Sequence, residues 1–149
     1  MAIAALITWI LTAGGGFYLL AKWVAGGGHR QPSSTKFPPA LIFGHFLLAA
    51  AGLVLWIVYL LIDSDAIGWV ALIVLVPVAV LGFTMLARWI PSYRNRAAIS
   101  ASGQVAADSA GENPPERSFP VIVVAAHGVL AVATVVLALL TMLGIGGSS

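Results

Sequence analysis

The sequence predicts an all-α integral membrane protein: four transmembrane helices in an up-down bundle built from two repeated helical hairpins. Three observations predict it. The 149 residues are 60% hydrophobic and only 8% charged, with a mean hydropathy of +1.03. Four segments are long and apolar enough to cross a bilayer, and the two halves of the chain share residues that composition alone does not explain. A soluble domain carries about 25% charged residues, so this chain has too few to cover a water-facing globule. That excludes a soluble enzyme domain, a nucleic-acid-binding module and a disordered chain. Cysteine is absent, which removes disulfides, thiolate metal sites, iron–sulfur ligation and cysteine nucleophiles. No nucleophile–base pair, carboxylate dyad or phosphate loop points to hydrolytic or phosphoryl chemistry.

A helix needs about 20 apolar residues to cross the hydrocarbon layer. Residues 3–24, 38–62, 67–90 and 119–143 meet that length without an interior acidic residue, within one membrane domain covering 1–149. As helices they pair their backbone groups internally, as lipid demands. The first span has no basic leader and runs too long for a cleaved signal peptide. The basic residues Lys22, Arg30, Lys36, Arg88, Arg94, Arg96 and Arg117 all lie on one side, while Asp63 and Asp65 mark the tight turn on the other. The positive-inside rule therefore puts connectors 25–37 and 91–118 in the cytoplasm and both termini outside, as expected in a bacterial cytoplasmic membrane. Connector 91–118 is rich in Ala, Ser, Gly, Pro and Asn and reads as a flexible cytoplasmic loop.

The repeat is carried by two octapeptides. Gly16-Phe17-Tyr18-Leu19-Leu20-Ala21-Lys22-Trp23 and Gly82-Phe83-Thr84-Met85-Leu86-Ala87-Arg88-Trp89 agree at five of eight positions, with Lys22 and Arg88 a close match. The second and fourth spans align without a gap. Each opens Phe-Pro, and each has a histidine seven residues after that proline: Pro38 to His45, and Pro120 to His127. Internal repeats of this kind are common in membrane folds.

Ionisable residues inside a span are costly and read first as functional. His45 and His127 sit roughly 10 Å into the layer at about 1.5 Å per residue, on helices running the same way, so both lie at one depth. Spans two and four are diagonal in an up-down bundle, with axes roughly 12–14 Å apart. That separation is too wide for a direct imidazole pair but suits two imidazoles with a metal between them. A bare metal would lack its usual carboxylate or thiolate ligands. Haem supplies four nitrogens of its own and needs only two axial ligands. The expected metal ligands are thus His45 and His127, holding one haem b.

A flat macrocycle needs small neighbours. Gly44 precedes His45, Gly128 follows His127, Gly52 lies two turns on, and Gly16 and Gly82 reach the same depth from spans one and three. These five glycines are expected to give the porphyrin clearance, against the alternative of close helix packing. Lys22 and Arg88 lie one and a half turns further toward the cytoplasm and can pair with haem propionates, with Arg30, Lys36, Arg94 and Arg96 as alternatives. His29, in the first connector, lies at the wrong depth and reads as a solvated loop residue. In the outer half, Trp69 and Tyr59 fit an interfacial aromatic belt, while Trp9 and Trp56 face inward and fill the core or line a quinone pocket.

With His45, His127 and their glycine neighbours in place, the chain resembles small four-helix b-type membrane cytochromes and the haem-bearing membrane anchors of quinone-linked oxidoreductases. The resemblance extends architecturally over all four spans, although its motif is just two histidines and glycines. It implies electron transfer with quinone, or service as a subunit of a respiratory complex, rather than stand-alone catalysis. The chain departs from two-haem members in lacking a second histidine pair. The competing expectation is a haem-free four-helix membrane scaffold, assembly factor or small transporter whose histidines serve packing or proton handling. A haem sensor that releases one ligand is a third.

Overall fold

The computed structural model describes residues 1–30, 35–101 and 114–145, with the side chains of 95, 96 and 99–101 outside that description. Among the described residues four α-helices form: α1 (Ala2–Ala25), α2 (Pro39–Ile62), α3 (Asp65–Ala101) and α4 (Val121–Met142). One 3₁₀ turn, Pro115–Ser118, precedes α4. Each helix carries a stretch long and apolar enough to cross a membrane, and in α3 that stretch is Asp65–Arg94.

The helix ends follow local chemistry. Pro38 and Pro120 stand at the N-caps of α2 and α4, where a missing N–H costs no intrahelical bond. At the far end of α2, Asp63 adopts the left-handed conformation (φ 52°, ψ 45°) and its N–H bonds the Tyr59 carbonyl. The chain thereby reverses into α3 within two residues, and Asp65 in the first turn suits the positive end of the helix dipole.

The 91–118 connector differs from a flexible loop over much of its length. α3 continues as helix through Pro91 to Ala101, and in the turn at 115–118 Glu116 is fully buried; 102–113 lie outside the described residues. Proline at 91 removes one backbone donor, but the residues that follow include Arg and Ala, which favour the helix. Docking of the connector on α3 supplies the rest: the Trp89 indole N–H donates to the Glu116 carbonyl at 3.2 Å, and Trp89 stacks on Tyr93.

The helices associate chiefly as two pairs, α2 along α3 and α1 along α4, with lighter contact between α1 and α2 and between α3 and α4. The core has two parts. Near the Asp63 turn, Ala2, Ala5, Trp9, Trp56, Leu72, Leu75 and Val78 pack together, and the Trp56 indole donates to the Ala2 carbonyl at 3.2 Å. At the connector end, Trp23, Phe37, Ile42, Trp89 and Phe119 form the second part, with Phe37 stacked on Phe119. Trp23 with Trp89 and Phe37 with Phe119 are pairs of identical residues, one from each half of the chain.

Candidate functional site

Between the two parts of the core stand His45 on α2 and His127 on α4, both half-buried. The His45 Nδ1 lies 3.0 Å from the Val78 carbonyl on α3. The His127 Nδ1 lies 2.9 Å from the Thr12 carbonyl on α1. A carbonyl only accepts, so each Nδ1 carries the proton and donates, and each Nε2 is left with its lone pair. Each histidine is thus fixed to the other helix of its own pair: α2 to α3, and α4 to α1.

The two acceptors correspond. Thr12 lies four residues before Gly16, and Val78 four before Gly82. A side chain in a helix leans over the turn preceding it, so a residue four positions on shields the carbonyl behind it. With glycine there, the carbonyl is open from the side and an imidazole can reach it. A Cβ built on Gly16 would stand 3.1 Å from the His127 Cε1, and one on Gly82 would stand 3.3 Å from the His45 Cε1. Gly15 also meets the His127 ring, at 3.5 Å. Gly16 and Gly82 therefore sit against the imidazoles themselves.

The two histidine rings neighbour one another in an edge-on arrangement, with centroids 6.3 Å apart and planes inclined by 60°. Among the described residues no hydrogen bond joins them. A metal–imidazole bond is about 2.0 Å, and the ring centre lies about 1.1 Å behind the nitrogen. Two imidazoles on opposite sides of one metal ion would thus have centres about 6 Å apart. The pair fits that spacing, and each ligating nitrogen would be backed by an Nδ1–H···O=C bond of the kind that orients metal-binding histidines. Among the described residues no group of three or more His, Cys, Asp or Glu gathers to hold a metal. Among the described residues a metal at this pair would have His45 and His127 as its protein ligands.

The other expected site residues scatter. Gly44 and Gly128 have nothing within 4 Å of where a Cβ would lie, whereas Gly52 meets the Trp9 ring at 3.0 Å and so seats a core tryptophan. The Lys22 ammonium lies 5.8 Å from the centre of the Tyr18 ring. Arg88 donates from Nη1 to the Lys36 carbonyl at 3.0 Å, tying α3 to the first connector. The Arg96 side chain lies outside the described residues. His29 is an exposed connector residue whose Nε2 accepts from Arg30. Trp9 and Trp56 are buried against one another with centroids 6.4 Å apart, while Trp69 is exposed as a belt residue would be.

Sequence reasoning did not identify the Thr12 and Val78 carbonyls, because main-chain acceptors have no residue code; their signal is the glycine four positions later. It also passed over Glu116. No protein-family model, curated protein or solved structure matches the chain.

Proposed function

We propose that the chain is a membrane b-type cytochrome: a four-helix up-down bundle of two repeated hairpins holding one haem b between His45 and His127, near the cytoplasmic side. In this reading it transfers electrons with quinone or as a subunit of a respiratory complex. One observation carries the proposal. Two imidazoles from opposite helix pairs stand 6.3 Å apart, each committed through Nδ1 to a carbonyl of its own pair. When bound, haem b would supply a one-electron couple, and His45 and His127 together would hold it in a form that favours electron transfer over oxygen binding.

The chain's own residues do the rest. The carbonyls of Thr12 and Val78 hold the Nδ1 protons and so present Nε2 in its basic form. Gly16 and Gly82 leave room for the rings to sit at that angle. The lighter packing between α1 and α2 and between α3 and α4 supports a planar group entering between the two tight pairs. The matched histidines, carbonyls, glycines and the Phe37–Phe119 stack all relate one half of the chain to the other, which supports duplication of a hairpin. Lys22 and Arg88 remain the proposed propionate partners, Arg88 through the donors not spent on Lys36. Gly44 and Gly128 are the proposed small neighbours beside the axial ligands, and Gly52 acts one step away by seating Trp9.

The haem-free scaffold has one observation in its favour: the histidine–carbonyl contacts are complete interhelical hydrogen bonds in their own right. Colour separates the two. Protein purified in detergent from haem-replete cells is expected to be red, with a sharp low-spin b-type band on reduction and one haem per chain by pyridine haemochrome. His45→Ala and His127→Ala should each abolish the band. A colourless wild type, or alanine variants that keep the spectrum, would overturn the proposal.

A further inference from the structure

Among the described residues the cytochrome reading leaves one buried ionisable side chain unused. Glu116, in the 3₁₀ turn before α4, is 0% exposed. Its Oε1 accepts the Lys36 N–H at 2.6 Å and its Oε2 accepts the Thr35 hydroxyl at 2.9 Å. Thr35 Oγ1 already receives the Trp23 indole N–H at 3.1 Å and the Phe37 N–H at 3.0 Å, so its single proton is directed at Glu116. Both carboxyl oxygens therefore accept, which is the pattern of an ionised carboxylate. The Glu116 carbonyl meanwhile receives the Trp89 indole N–H. Trp23 and Trp89, equivalent in the two halves, thus converge on one residue, directly from α3 and through Thr35 from α1.

We infer that Glu116 is a fixed negative charge that clasps the two connectors together and sets the redox equilibrium of the haem held by His45 and His127. The inference rests on the cytochrome reading. Between Glu116 and His127 the chain passes through Phe119 and the first two turns of α4, placing the carboxylate on the order of 15 Å from the histidine pair at about 1.5 Å per helical residue. Glu116 adjoins the buried apolar cluster of Phe37, Phe119, Trp23 and Trp89, and a charge buried beside such a cluster is weakly screened. Taking up one electron adds one negative charge at the histidine pair and breaks no bond. The carboxylate opposes that charge and favours the oxidised form. The surrounding cations Lys36, Arg88 and Arg117 are the same before and after the change tested.

At an effective dielectric constant near 20, one charge at that distance changes the ratio of reduced to oxidised protein roughly sixfold. The test is a mediated potentiometric titration of purified holoprotein, read at the haem band. Glu116→Gln keeps an oxygen acceptor for the Lys36 N–H but removes the charge. It should retain haem and raise the reduced-to-oxidised ratio at fixed potential by about sixfold. Glu116→Asp keeps the charge but shortens the reach. It should lower thermal stability while leaving that ratio within about twofold of wild type.

An E116Q protein that holds haem with an unchanged ratio overturns the inference and leaves the cytochrome reading standing. So does an E116D ratio that moves as far as the sixfold; should E116Q lose its haem, Glu116→Asn, neutral with the shorter reach, is expected to raise the ratio about sixfold, and an unchanged ratio there overturns the inference. A wild type without haem removes the reading beneath it.

Discussion

Alanine introduced along the Gly14–Gly16 run makes the most discriminating test of how the imidazoles are seated. The three positions sit on one helix with graded surroundings: nothing within 4 Å at Gly14, the His127 ring at 3.5 Å at Gly15, and its Cε1 at 3.1 Å at Gly16. The methyl gains the same helix propensity at each, about 0.8–1 kcal/mol. At Gly14 nothing opposes that gain, so Gly14→Ala should stabilise the protein by about that amount. At Gly16 the imidazole must retreat by a few tenths of an ångström, which stretches an Nδ1···O contact now at 2.9 Å toward the limit of a hydrogen bond. An intramembrane interhelical bond of this kind is worth roughly 0.6–2 kcal/mol. Loss and gain then nearly cancel, and Gly16→Ala should unfold within about 1 kcal/mol of wild type.

In the proposed cytochrome the haem should nonetheless register the change. Thermal unfolding by circular dichroism, together with haem content and the low-spin signals in electron paramagnetic resonance, separates stability from ligand orientation. Gly16→Ala should lose haem faster and shift its resonance; Gly82→Ala, with 3.3 Å available, should do so less; Gly14→Ala should do neither. Equal haem retention and equal spectra across the three variants would refute the reasoning that these glycines seat the proposed haem-binding histidines. An effect larger at Gly82 than at Gly16 would refute the ranking by distance.

Two further outcomes are expected. A Cβ on Gly28 would run into the buried Trp23 indole, so Gly28→Ala should cost about 1–3 kcal/mol as overpacking, read as a lowered unfolding midpoint with the haem band intact while folded. The absence of cysteine makes topology directly measurable. Ser64→Cys should be labelled by an impermeant maleimide from outside intact cells, and Arg30→Cys only after permeabilisation; the opposite pattern would invert the orientation.

Much of the site was legible in the sequence because of two physical rules that need no tertiary knowledge. Lipid penalises a stray imidazole, so His45 and His127 stood out, and a fixed rise per residue from Pro38 and Pro120 gave them a common depth. The glycines at 16 and 82 were legible as partners but not in their role. Expected to clear a macrocycle, they lie against the imidazoles, because that outcome depends on how closely α1 approaches α4 and α3 approaches α2. Gly52 shows the same limit: small residues mark a close approach without saying what approaches, and here it is Trp9.

Composition misled where it had least to work with. An Ala-, Ser- and Gly-rich stretch reads as loop, yet 91–101 continue α3, because a helix already running needs no new nucleus. Glu116 reads as one more polar loop residue. Its complete burial follows from Thr35, Lys36 and Trp89 arriving from other parts of the chain, and no local pattern encodes that meeting.

What the sequence determined by itself was that four apolar helices form and that two of them carry a histidine at matching positions, since each follows from the cost of placing polar groups in hydrocarbon. What only the tertiary structure decided was which helices pair tightly, which carbonyls take the histidine protons and that a connector carboxylate is buried. Those depend on the distances between chain segments far apart in sequence, where angstrom-scale packing, rather than residue type, selects the partner.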